Sequence, residues 1–526
     1  MLTELLPWWA GSLWYLAALS LAALVPVAAR SIKAYPKDIQ RKWWAALVAA
    51  LVIRWLCPFD LVRVFTGWEL MGRAFPGASL PRYGAGWVAL LRPWLWLYPD
   101  PEVWISAFNG AAGVATVALM STATAAWRRD ASSHRALLWS AWVLALTPLL
   151  VKHHRSESAL PVATLMWAAG ACLWAQWLRT GDRWMAWLAV PALAAAGHTR
   201  PSFVLAAPVT LWALSRWLPR QNQRRGWLRG PLIALLWALL PQLLWLGLGG
   251  HARAGRGDLP AAASPWFIVQ LPLMLVGLNL ALWPQAFPAA LTLAGLHRAW
   301  RDWARPAQRQ VIFASSAVGA SLLTLGMLDP VVVSLPRLQA PWLLVWSCAV
   351  VLLIASSTAK VNVRQGFIAF ALTAGLTVPW LFQPENADHE RQQLQKVAEL
   401  LKGQRGDLYW LASGDSGADK VSRAYPSWRF HPPFARVRIQ PLASLPAEGR
   451  AEGWVWLGVR CAASHRALDA AAPAHFDQAA CAAVRRRHDL EVVFEEQLPN
   501  HGDVHFPWWP QQKSVPVALY RLRKKP

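Results

Sequence analysis

A series of apolar stretches constrains this chain more than any other feature of its sequence. An α-helix needs roughly 20 apolar residues to cross the hydrocarbon layer of a membrane. About 12 candidate crossings are predicted, at 8–29, 43–57, 103–127, 136–151, 158–178, 184–199, 201–217, 230–249, 267–296, 310–328, 340–357 and 366–382. Of the 526 residues, 56% are hydrophobic and 15% charged. So small a charged fraction favours lipid as the solvent for most of the chain.

Clusters of Lys and Arg occupy alternate connections between these stretches. They lie within 30–42, 128–135, 179–183, 216–229, 298–309 and 360–364. The positive-inside rule places this face in the cytoplasm, so the loop 58–102 and the links 152–157 and 198–202 face the periplasm of a bacterial inner membrane. The formal net charge of +24 is spread through loops that meet lipid phosphates. Membrane lipids are therefore expected partners and nucleic acid is not.

The composition changes after Phe382, where alternating apolar residues predict short strands. They are predicted at 407–412, 436–440, 454–459, 490–494 and 515–522, with helices at 386–403, 464–469 and 476–487. The predicted fold is mainly α: a polytopic transmembrane bundle over 1–383, followed by a small α/β domain over 384–526 in the periplasm. Cys461 and Cys481 both fall in this domain, and their pairing in an oxidising compartment is left open.

Two acidic residues follow the second apolar stretch. Asp60 and Glu69 lie in the loop 58–102, and a carboxylate at the edge of a membrane usually faces a water-filled site. A low-polarity environment raises the pKa of such a group, so that it can act as a general base on a hydroxyl. The alternative is an interfacial acid paired with a nearby arginine.

Six arginines lie on the predicted periplasmic side, where the positive-inside rule disfavours basic residues. They are Arg63, Arg73, Arg82, Arg155, Arg200 and Arg337. A guanidinium at this depth is suited to bind a phosphate or pyrophosphate on a lipid. Taken singly, each could instead neutralise a neighbour or reach lipid headgroups.

Two short periplasmic links concentrate ionisable groups. The segment KHHRSES contains His153, His154, Arg155 and Glu157, and the segment GHTRPS contains His198 and Arg200. Such groups between apolar helices indicate a polar chamber open to the periplasm. The alternative is a pair of ordinary solvated turns.

These features together resemble the C-type glycosyltransferase superfamily, which includes protein O-mannosyltransferases and aminoarabinose-lipid A transferases. The resemblance is carried by Asp60, Glu69, the segment Tyr83-Gly84-Ala85-Gly86, the cluster His153 to Glu157, and Arg200. It implies a transmembrane enzyme that moves a sugar from a polyprenyl-phosphate donor to a glycan, lipid or protein acceptor. Many relatives carry adjacent acids in the first loop, whereas Asp60 and Glu69 are separated here, so either is a candidate base.

Asp60 is our first choice of base and Glu69 the second. Substrate contacts are predicted at Arg63, Arg73, Arg82, Tyr83, His153, His154, Arg155, Glu157, His198, Arg200 and Arg337. A divalent metal ion is left open, with Glu157 as a residue that could hold it. The rival hypotheses are a lipid or glycan transporter or flippase, which favours charges buried in mid-span, and a membrane scaffold that presents the C-terminal domain.

Overall fold

The computed structural model divides into two compact units, of which the first contains the long apolar helices and the second the β-sheet. The described residues are 2–57, 85–98, 101–127, 132–156, 159–200, 202–217, 229–245, 306–327, 336–355, 396–397, 399–410, 437–446, 452–458, 478–499 and 514–523.

The helices of the first unit follow the predicted apolar stretches closely. They are α1 Leu2–Lys33, α2 Lys37–Leu56, α3 Ala85–Leu95, α4 Pro101–Ala126, α5 Ser132–Leu146, α6 Pro148–His154, α7 Leu160–Thr180, α8 Arg183–Thr199, α9 Ser202–Trp217, α10 Arg229–Trp245, α11 Pro306–Met327 and α12 Pro336–Ala355. The turn between α7 and α8 is tight: Gly181 has φ 77°, and Asp182 accepts a hydrogen bond from the backbone of Trp184. This left-handed glycine followed by an acidic N-cap is a favourable helix-to-helix connection.

Two helices of the described part are long and apolar enough to cross a membrane. The qualifying segments are Trp9–Lys33 and Val103–Ala126, and shorter apolar helices cover Phe203–Arg216, Arg229–Leu244 and Ala340–Ala355. The predicted crossings at 267–296 and 366–382 lie outside the described residues. The structure therefore shows a mainly helical unit with apolar helices, and the number of about 12 crossings stays a prediction.

Two details of the bundle differ from the sequence prediction. The stretch 136–151, predicted as one span, is divided into α5 and α6 at Thr147, whose backbone is extended. Pro148 causes the division, because proline disfavours a helical conformation in the residue before it. Within the segment 58–102, which the sequence analysis treats as a loop, the structure forms α3, which buries Trp87, Val88 and Leu91. At about 1.5 Å per residue, its 11 residues are too short to cross the hydrocarbon layer.

The second unit contains a five-stranded mixed sheet. Its strands are β1 Gly406–Trp410, β2 Val437–Pro441, β3 Gly453–Leu457, β4 Asp489–Pro499 and β5 Ser514–Arg523, in the order β2-β1-β3-β5-β4. β1 pairs in parallel with β2 and β3, whereas β5 pairs antiparallel with β3 and β4. The strand predictions are confirmed within a few residues, except that β4 continues to Pro499.

In the described part of the second unit, a helix packs on this sheet through a small apolar core. Helix α13, Gln478–Arg487, contributes Cys481 and Val484, which cluster with Val455 and Leu457 of β3. Cys481 is disulfide-bonded, and Cys461, its proposed partner, lies outside the described residues. The predicted helix at 476–487 is thus confirmed for the part that the structure describes.

Candidate active site

A buried arginine lies at the end of α2. Arg54 is 1% exposed, and its guanidinium donates to the backbone oxygens of Ala50, Ala145 and Leu144 at 3.1, 3.0 and 3.3 Å. Its Nε donates to Nδ1 of His154 at 3.3 Å. Within the described residues all of these acceptors are neutral. Burying a cation is costly unless its donors are satisfied, so this arrangement satisfies the hydrogen bonds of Arg54 without neutralising its charge.

The contact with Arg54 determines which ring nitrogen of His154 carries the proton. A guanidinium has only donors, so Nδ1 of His154 must accept and the ring proton lies on Nε2. The side chain of His154 is buried, and its ring centroid is 5.7 Å from that of His153. His153 and Lys152, in the same turn of α6, are buried as well. Four consecutive basic residues, 152–155, thus end a short helix inside the bundle.

Arg155 connects three elements of the bundle. Its Nε donates to the carbonyl oxygen of Cys57 at 3.0 Å, and its Nη1 donates to Oγ of Ser106 at 2.5 Å. Cys57 caps α2, Ser106 lies in α4, and Arg155 caps α6. The residue is half-buried, so its guanidinium is held in place at the rim of the bundle.

The adjoining face of α4 is shaped to receive these side chains. Asn109 is buried, and its Nδ2 donates to the carbonyl oxygen of Ser156 at 2.6 Å. One turn further along α4, a Cβ on Gly113 would lie 2.6 Å from Cγ of His154 and 2.7 Å from Nε of Arg54. The glycine is therefore required for the close approach of α4 to the histidine.

We call Arg54, Asn109, His153, His154 and Arg155 the arginine–histidine cluster. Three of its members were predicted as site residues, and the structure places them together. Arg54 and Asn109 were missed. The available signal was a charged or amide side chain inside an apolar stretch, which is costly unless it faces a polar interior.

The second predicted link leads to a different neighbour. His198 is buried, and its Nε2 lies 2.9 Å from the carbonyl oxygen of Ala238 in α10. The same oxygen accepts from Nε1 of Trp9 at 2.9 Å. Arg200 caps α8, with its backbone N–H donating to Ala196. Through the Ala238 oxygen, His198 and Trp9 thus join α8, α10 and α1, whereas the hydrogen bonds of the arginine–histidine cluster join α2, α4, α5 and α6.

The other predicted site residues lie outside the described part of the chain, except for Arg337. Those outside the described residues are Asp60, Arg63, Glu69, Arg73, Arg82, Tyr83 and Glu157. The backbone of Arg337 lies in the first turn of α12, but its side chain is not described. In the part of the chain that is described, no three His, Cys, Asp or Glu side chains come together as a metal site.

Comparison with known proteins gives only weak structural similarity. No protein-family model and no curated protein sequence matches this chain. Among solved structures, it is similar to the arabinofuranosyltransferase AftD from mycobacteria, with 13% identity and a TM-score of 0.44. The match covers 92% of this chain and 40% of AftD, so this chain spans well under half the length of that protein. A similarity of this size assigns neither an activity nor a substrate.

Proposed function

We propose that this chain is a multi-pass glycosyltransferase of a bacterial inner membrane. It moves a sugar from a polyprenyl-phosphate donor to a glycan, lipid or protein acceptor on the periplasmic face. The observation that carries this proposal is the arginine–histidine cluster, in which the buried charge of Arg54 meets only neutral described acceptors.

The cluster suits the phosphate of a lipid-linked donor. Arg155 is held at the rim by Cys57 and Ser106, and a fixed guanidinium binds phosphate oxygens through directed, charge-assisted hydrogen bonds. Arg54 adds a buried positive charge in direct contact with His154. In a water-poor environment, such preorganised cations stabilise the negative charge that develops on a departing phosphate.

The proposed base lies next to this cluster in the sequence. Asp60 follows Cys57 by three positions, and Glu157 follows Arg155 by two. Asp60, or Glu69 as the second choice, takes the proton of the acceptor hydroxyl as its oxygen attacks the anomeric carbon of the sugar. The bond from that carbon to the phosphate oxygen breaks, and the lipid phosphate leaves with the electron pair.

The remaining predicted residues are proposed as further substrate contacts. They are Arg63, Arg73, Arg82, Tyr83, Glu157, His198, Arg200 and Arg337. Among them, His198 and Arg200 end α8 beside α10, so they would contact a part of the substrate other than the phosphate held by Arg155. If a divalent ion is used, Glu157 is the proposed ligand, because carboxylate oxygens are the ligands that such ions prefer.

The C-terminal domain over 384–526 is proposed to be periplasmic. The disulfide bond of Cys481 supports this assignment, because structural disulfides persist in oxidising compartments and are rare in the cytosol. The basic clusters in alternate loops mark the cytoplasmic face, and counting the predicted crossings from them also puts this domain in the periplasm.

The test compares lipid-linked glycans in a deletion strain and its parent, which also identifies the sugar and the acceptor. The deletion strain is complemented with the parent sequence, Asp60→Asn, Glu69→Gln, or both changes together. Asp182→Asn is the matched control, because asparagine caps a helix as well as aspartate does. Loss of the glycan with one of the first two variants identifies the base. Full modification with the double variant, at normal protein level, would overturn the proposal.

A further inference from the structure

A second feature of the bundle lies far from the arginine–histidine cluster. Six helices, α1, α4, α7, α9, α11 and α12, line a partly open cavity of about 190 Å³. Its walls are formed mainly by apolar side chains, among them Leu24, Leu119, Trp167 and Leu352, together with the thiols of Cys172 and Cys348. A cavity of about 150 Å³ with comparable walls is large enough to hold benzene, so this one can accept a segment of hydrocarbon.

The hydroxyl groups in the wall do not make it polar. Thr124 donates to the backbone oxygen of Met120, Ser315 donates to that of Val311, and Thr210 accepts from Nε1 of Trp167. These hydroxyls already have partners within the protein, and a cavity with such a wall favours an apolar occupant over water or a sugar.

Polar groups are gathered at one end of the cavity. Gln176 and Arg179 follow Cys172 along the same face of α7, and the exposed Ser31 lies at this end of α1. Burial raises the pKa of the nearby Tyr35 phenol, while a hydrogen bond with Ser133 and the positive charge of Arg179 lower it. Arg179 is thus close to the turn that follows α1.

This end of the bundle carries further positive charge. The last turn of α1 contains Arg30 and Lys33, both exposed. The positive-inside rule assigns these residues to the cytoplasmic face, where anionic lipids attract basic residues. Apolar walls with cations at one end match an amphiphile with a hydrocarbon chain and an anionic headgroup.

The cavity is separate from the proposed sugar-transfer site. Helix α7 begins at Leu160, shortly after Ser156, and rises by about 1.5 Å per residue. Cys172 is therefore about 18 Å along the helix axis from Leu160, and Arg179 about 28 Å. The polar end of the cavity thus lies at the last turn of α7, whereas Ser156, which contacts Asn109 of the cluster, precedes its first turn.

We infer that the cavity binds one hydrocarbon chain of an anionic membrane lipid, whose headgroup lies beside Arg179. The inference rests on the membrane setting of the bundle and does not depend on sugar transfer. An occupant of this kind would fill the space between the six helices, where an empty cavity would leave the lining side chains without packing partners.

The test uses the full-length protein reconstituted in lipid nanodiscs. The probes are phosphatidylglycerol and phosphatidylcholine, each with a photoactivatable diazirine in one acyl chain, and cross-linked peptides are mapped by mass spectrometry. Ala28 lines the cavity, whereas the adjacent Ala29 is exposed on the same helix. Ala28→Trp should therefore fill the cavity, and Ala29→Trp is its matched control. Ala175→Leu fills it less and covers the case in which Ala28→Trp does not fold.

We expect the probes to label the α7 segment around Cys172, and phosphatidylglycerol to label it more strongly than phosphatidylcholine. Ala28→Trp should abolish this labelling, Ala175→Leu should reduce it, and Ala29→Trp should leave it unchanged. Arg179→Gln should lower the preference for phosphatidylglycerol about fivefold, because one cation is removed from the headgroup site. Labelling confined to the exposed faces of the helices, or unaffected by both filling variants, would overturn the inference. Equal labelling by the two lipids would contradict the anionic headgroup.

Discussion

Nε of Arg54 donates a hydrogen bond to Nδ1 of His154 across 3.3 Å. The two residues belong to α2 and α6, and both are buried. The contact places the proton of the imidazole on Nε2, and the backbone oxygens of Ala145 and Leu144 hold the guanidinium in place. Three elements of the bundle are thus coupled through one pair of side chains.

Gly113 should not tolerate even a methyl group. In Gly113→Ala, the new Cβ would lie under 3 Å from both His154 and Arg54, so α4 or the pair must move. We expect a loss of about 1–3 kcal/mol in the free energy of unfolding, measured in mixed micelles, together with reduced sugar transfer.

Gly110→Ala is the matched control on the same helix. The atom nearest to its new Cβ is Nη1 of Arg155 at 4.0 Å, which is ordinary contact, and alanine favours the helix by up to about 1 kcal/mol. Equal stability of the two variants would show that α4 does not pack on the pair as described.

Removing the acceptor on His154 should be more harmful than replacing it. His154→Leu leaves Nε of the buried Arg54 without this partner, which costs about 1–3 kcal/mol of stability. His154→Gln supplies a carbonyl oxygen that can accept in place of Nδ1, so it should recover part of the loss. The comparison is made by unfolding both full-length variants in mixed micelles. A leucine variant as stable as the glutamine variant would mean that the hydrogen bond contributes nothing.

The helices and strands were readable from the sequence because each depends on local patterning. Apolar runs predicted the helices of the bundle, and alternating residues predicted strands such as β3 and β5. The cluster was only partly readable. His153, His154 and Arg155 are adjacent in the chain, whereas Arg54 and Gly113 join them through packing between helices that are distant in sequence. Neither a hydrophobic period nor a short motif encodes that contact.

The contribution of the strand pair β4 and β5 to the stability of the second unit should decrease at acidic pH. The hydrogen bond from Arg523, followed by the charge of that residue, lowers the pKa of Glu491, and the two side chains are 3.2 Å apart. Because the folded pKa lies below the unfolded one, the contribution of the pair to stability is present above the unfolded pKa. It is lost as the pH falls through the folded pKa.

Glu491→Gln should therefore weaken the dependence of stability on pH in the acidic range. The measurement is the unfolding midpoint of the second unit within the full-length protein as the pH is lowered. Glu495→Gln, at an exposed position of the same strand, is the control and should retain the parent profile. If the unfolding midpoint of Glu491→Gln depends on pH in the same way as that of the parent, the ion pair of Glu491 and Arg523 does not contribute to stability.

Binding of polyprenyl phosphate to the purified full-length protein tests the central proposal most directly. Arg155→Gln removes the guanidinium held by Cys57 and Ser106, and loss of a charge-assisted hydrogen bond should raise the Kd about 10-fold to 100-fold. Arg183→Gln, at an exposed position where α8 begins, should leave the Kd unchanged. An equal Kd for the parent, Arg155→Gln and Arg183→Gln would contradict a phosphate site at the arginine–histidine cluster.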